Sequence, residues 1–141
     1  MSTAASAILL VGRVLFVALF AFTGRGHIRN HAQYVGTAKG RLPIPYVAGW
    51  PTGVWLLLAD ASMALGVWPD IAALMMAAFL VPTTILFHPF WKFSDPAQRR
   101  TQTMSFYRNV SLLGAALAIF VLFTVAGPGR FALTGSLLSL R

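Results

Sequence analysis

The sequence predicts an all-α integral membrane protein: a four-helix bundle of antiparallel, up-and-down spans with a long basic first loop. Three observations carry that expectation. Hydrophobic residues make up 57% of the chain and charged residues only 10%, against roughly 25% charged in ordinary soluble domains. Such a chain cannot cover itself with a polar surface. The apolar residues also gather into four blocks, at about 5–24, 47–68, 71–91 and 105–127, each able to cross a hydrocarbon core of about 30 Å with roughly 20 helical residues. Lipid offers no hydrogen bonds, so an isolated span has to satisfy its own backbone, and the helix does so. On this reading residues 1–141 form a single transmembrane domain.

The first block has no basic residue before Arg13, and three further blocks follow it. It therefore reads as a retained span rather than a secretory leader. Residues 25–46, RGHIRNHAQYVGTAKGRLPIPY, read as the long basic loop. The second block begins with Gly49 and Gly53 in a GxxxG spacing and carries Asp60 at its apolar centre. Pro69 and Asp70 then leave room only for a tight hairpin into the third block. Within that block, Ala73 and Ala77 offer a small-residue face. Pro82 should kink it, with Thr83 and Thr84 placed to satisfy freed backbone groups. Residues 92–104, KFSDPAQRRTQTM, form the third connection. The fourth block opens with Arg108 and Asn109 and has Gly114 and Ala118 as its small-residue pair. After Gly127, the tail of residues 128–141 is too short to span and is expected to lie at the interface.

Cations set the orientation. Arg25, Arg29, Lys39 and Arg41 in the first loop, with Lys92, Arg99 and Arg100 in the third connection, lie on one side. The other side holds only Arg130 and Arg141. The positive-inside rule puts loops 25–46 and 92–104 in the cytoplasm. The net charge of +8 fits basic loops against anionic headgroups or a protein partner. No nucleic-acid motif accompanies it, and loop basicity alone supplies only non-specific binding. The absence of cysteine excludes disulfides, thiolate metal sites and dithiol relays.

Two constellations stand out. Arg13 lies about 10 Å into span one, and Asp60 about 12 Å from the same membrane face at 1.5 Å per residue. Opposite charges at one depth on consecutive helices predict an intramembrane ion pair, since a lone ion there is costly. A structural pair is the reading adopted over a catalytic one, because neither group has a reacting partner.

At the basic face, His27 and His31 are spaced i, i+4 and His88 arrives from FHPFW. Three imidazoles are a conceivable transition-metal set, but HxxxH lacks the acid of a zinc protease, and interfacial histidines bonded to headgroups or loop carbonyls are the reading adopted. Aromatic residues crowd both faces and read first as an interfacial belt. The sharper alternative is a slot for a planar lipid-soluble ligand such as a quinone, with His88, Arg108, Asn109 and Trp91 supplying polar and aromatic contacts.

In order along the chain, LLVGRVLFVALFAFTG, the acid in a leucine-rich second span, FHPFW, SDPAQRRTQ and YRNVSLLGAAL together resemble the DoxX family, from about Ile8 to Gly127. Asp60 stands where that family commonly has glutamate, and Arg25-Gly26-His27 where members often read Gly-x-x-Lys. The resemblance implies a small four-helix protein of the bacterial cytoplasmic membrane. It also implies partnership with membrane oxidoreductases, including thiosulfate–quinone and superoxide- or thiol-handling systems; no catalytic residue carries over. The expected function is a membrane subunit of a redox or electron-transfer complex without independent catalysis, in contact with lipid and other subunits. Its rivals are a quinone-reactive enzyme using the His88–Arg108–Asn109 region and a structural accessory subunit of a large respiratory or photosynthetic assembly.

Overall fold

The computed structural model describes residues 1–140; Arg141, one of the tail cations in the charge count, lies outside them. Among the described residues the chain is all helical, with no strand. Its helices are α1 (Thr3–Arg29), α2 (His31–Ala38), α3 (Trp50–Leu65), α4 (Pro69–Phe87) and α5 (Pro96–Ala126), with 3₁₀ turns at Pro45–Ala48 and Phe90–Lys92. Three segments are long and apolar enough to cross a membrane: Thr3–Arg29, Pro69–Lys92 and Pro96–Ala126. The second block, expected over 47–68, yields a helix of only 16 residues, shorter than the roughly 20 that a full crossing takes.

Local chemistry explains where the helices start and stop. Ser2 caps α1, its hydroxyl accepting from the Ala5 N–H at 3.1 Å. Asp95 caps α5, accepting from the Gln98 N–H at 2.8 Å, with Pro96 following at the first position. That cap starts α5 nine residues before the apolar block, so the expected 92–104 loop is mostly helix. The 25–46 loop is also largely structured: α1 runs on to Arg29, and α2 follows after Asn30. Gly66 ends α3 in the left-handed conformation, φ 70°.

α1 turns Ser6, Arg13, Val17, Phe20, Gly24 and His27 inward and leaves Ile8, Leu15 and Phe22 at least 70% exposed. A helix that buries its polar and small residues and exposes its large apolar ones is arranged for lipid. Phe20, Leu56, Met63, Met76, Leu80 and Phe123 form the core between α1, α3, α4 and α5. Gly53 abuts the Gly24 carbonyl where α1 crosses α3, and Arg13 abuts Gly66 at the other end of α3, so the two helices run antiparallel. Gly49 packs on the His31 ring, and Ala73 and Ala77 are buried as their spacing implies. Gly114 is different: among the described residues nothing lies within 4 Å of a Cβ built there, and it is Ala116 that α5 buries nearby, along with Asn109, Phe123 and Thr124.

The tail is held rather than loose. Leu133 and Thr134 donate their N–H groups to the Leu65 and Gly66 carbonyls at 3.2 and 3.0 Å. The Leu137 and Leu138 N–H groups bind the Asp70 carboxylate at 2.8–3.1 Å, and Ser136 donates to the Phe123 carbonyl. It covers the α3–α4 hairpin, tying it to α1 and α5.

Candidate functional site

Arg13 and Asp60 are both buried, at 1% and 6% exposure, but no hydrogen bond or ion-pair contact joins them. Among the described residues, both Asp60 carboxyl oxygens, and Nε and Nη1 of Arg13, have no hydrogen-bond partner. Nη2 of Arg13 donates to the Phe131 carbonyl at 2.8 Å, in the tail. The direct bridge expected from matching depth is not made. The reason is directional: every helical Cα–Cβ bond tilts toward that helix's N-terminus. In antiparallel α1 and α3 the two side chains therefore lean to opposite membrane faces. The effects of Arg13→Gln and Asp60→Asn on stability are expected to add in the double variant, within about 0.5 kcal/mol. A coupling above about 1 kcal/mol in micelle melts would reveal a direct contact after all.

The opposite, basic face holds a cavity of about 630 Å³. α1 contributes Thr23 and His27, α2 contributes Tyr34, α3 contributes Trp55, α4 contributes Phe79, Pro82 and Phe87, and His88 and Arg108 complete the wall. Pro82 has no N–H to offer the Ala78 carbonyl, and both residues line the cavity. The nearby Thr84 hydroxyl donates to the Leu80 carbonyl at 2.6 Å. An adjoining recess of about 100 Å³ shares His88 and Arg108 and adds Asn109. Three of the four residues expected to surround a ring ligand thus converge. Trp91 does not: it packs on Phe90 and Phe106, 51% exposed and outside both spaces.

The histidines part company because Asn30 breaks the helix between them. His27 stacks on Tyr34 with ring centres 3.8 Å apart and bonds the Ala48 carbonyl through Nδ1. His31 turns to α3, where its Nδ1 accepts from the Trp50 N–H at 3.0 Å, filling the place of an N-cap. His88 Nδ1 meets the Gln102 Oε1 at 2.9 Å. Among the described residues no three metal-ligating side chains gather, so the His27, His31 and His88 set is not assembled.

Sequence reasoning missed Tyr34, Thr37 and Arg41 as parts of this region, because 25–46 read as loop, whereas Trp55 was placed at this face as an aromatic of the second block. Arg41 donates to the Leu86 carbonyl at 3.2 Å and lies over the Phe87 ring, with 5.4 Å to its centroid. It pins the segment after α2 to the end of α4.

Aromatic walls with polar side chains among them suit a small planar ligand, and the volume lies in the range of small-molecule sites. No curated protein and no solved structure matches the chain. A family model does match: DoxX, over residues 8–89, which takes in most of α1, all of α2 to α4, Arg13, Asp60 and most of the cavity wall while leaving out Arg108 and Asn109. That match spans more than half of the chain's 141 residues, and the chain accordingly belongs to the DoxX family of membrane proteins.

Proposed function

We propose that this DoxX protein is the membrane subunit of an oxidoreductase or electron-transfer assembly, and that its cavity holds the ring of a lipid-soluble carrier such as a quinone. The observation that carries the reading is the cavity itself, about 630 Å³, walled by Trp55, Phe79 and Phe87 and reached by His27, His88 and Arg108. Those residues fit such a ring: flat apolar faces for stacking, and polar groups for its oxygens. A bound carrier would supply reversible two-electron chemistry; the chain's own residues bind and orient it. With no cysteine the chain has no dithiol relay of its own.

In this reading residues 1–141 form a single domain in the bacterial cytoplasmic membrane. α3, extended by the Pro45–Ala48 turn and the Gly66–Trp68 hairpin, completes a fourth crossing of an antiparallel bundle. Arg108 of α5 lines the cavity, Arg41 binds the end of α4 beside it, and the end of α1 that reaches it carries Arg29; the charge bias assigns that face to the cytoplasm. Arg13 and Asp60 serve structure rather than catalysis.

Solvent extraction of protein purified from native membranes in mild detergent tests the proposal. About one quinone per chain, with larger subunits co-purifying, is the expected result. Quinone no higher than in an unrelated membrane protein purified alongside, on a chain that runs alone, would overturn it.

A further inference from the structure

We propose that the cavity selects the reduced, dihydroxy form of its ring ligand, with His27 and His88 each accepting an O–H donor at Nε2. The inference rests on the ring-ligand reading above and goes beyond it to the ligand's hydrogen-bonding state.

The argument is one of tautomers. A neutral imidazole carries one N–H, and the bond made by one nitrogen decides the role of the other. His27 Nδ1 faces the carbonyl oxygen of Ala48, which can only accept. The proton therefore sits on Nδ1, and Nε2 presents a lone pair. Among the described residues Nε2 finds no hydrogen-bond partner, and the ring lines the cavity. With Gln102 turning its amide oxygen to His88 Nδ1, as here, the proton sits on Nδ1 and Nε2 carries the lone pair on a second residue lining the same cavity. His31, whose Nδ1 accepts from a backbone N–H, has the opposite tautomer and does not line the cavity.

Two histidines from different parts of the chain are thus set as acceptors toward one space. A quinone offers two carbonyl oxygens, which are acceptors themselves, and to which neither imidazole Nε2 can donate. A hydroquinone offers two O–H donors and matches both imidazoles. Two neutral hydrogen bonds made by one form and not the other correspond to about a tenfold difference in affinity.

The test is anaerobic equilibrium binding of decylubiquinol and decylubiquinone to the full chain in lipid nanodiscs, above the ordinary imidazole titration range, read by tryptophan quenching. The quinol is expected to bind about tenfold more tightly. His27→Phe keeps the stack on Tyr34 but removes Nε2, and is expected to weaken quinol binding severalfold more than it weakens quinone binding. Gln102→Lys sets an obligate donor against His88 Nδ1, forces the proton onto Nε2, and is expected to move the preference toward the quinone without loss of thermal stability. Equal affinity for the two forms, tighter quinone binding, or a preference that neither variant shifts would overturn the selection while leaving the ring-ligand reading intact. Binding of neither compound would bring down both.

Discussion

Replacing Gly53 with leucine is expected to separate α1 from α3 and to cost about 3 kcal/mol, the upper range for overpacking a tight contact. A Cβ at Gly53 would sit 2.6 Å from the Gly24 carbonyl oxygen and 2.5 Å from Ile28 Cγ1. The carbonyl belongs to helix backbone, so relief requires moving the helix. The cavity lies next to that crossing. His27 is one turn beyond Gly24, and its Ala48 partner lies just before α3. Pushing the helices apart therefore also strains the bond that orients the His27 ring. Melting in detergent should show the loss, with Gly53→Ala intermediate because its one methyl still meets the carbonyl. A Gly53→Leu protein that melts with the parent would show that the α1–α3 crossing is not as drawn.

The second large effect is expected at Asp70. Its carboxylate is wholly buried and accepts from the Leu137 and Leu138 N–H groups. Hydrogen bonds to a charged group contribute about 1.5–3 kcal/mol each, and their sum is not additive. Asp70→Ala is expected to lower stability by about 3 kcal/mol and to expose residues 135–140 to protease in a folded protein. Asp70→Asn keeps one acceptor oxygen and should fall between. Parental resistance of the tail to protease in Asp70→Ala would show that Ser136 and the Leu65 and Gly66 carbonyls hold it unaided.

These two sites mark different degrees of legibility. Gly53 was readable as a packing residue from its spacing, although its contact proved to be Gly24. Asp70 read only as part of a short hairpin, because its partners lie 67 and 68 residues away. The structure of the basic segment after Gly24 was illegible for a different reason. Its helices are made by polar residues whose stability comes from packing, such as Tyr34 on His27, and a hydropathy pattern carries no trace of that.

The sequence by itself determined the helical class, the apolar blocks and the family, because hydropathy and order along the chain are one-dimensional properties. It also placed Arg13 and Asp60 at similar depth, since depth follows from rise per residue. Only the tertiary structure decided that they do not touch, that His27 and His31 serve different helices, and that a tail closes the opposite end. Those outcomes depend on the direction in which each side chain leaves its helix and on which distant backbone group stands there to meet it. Such directions exist only once the helices have packed.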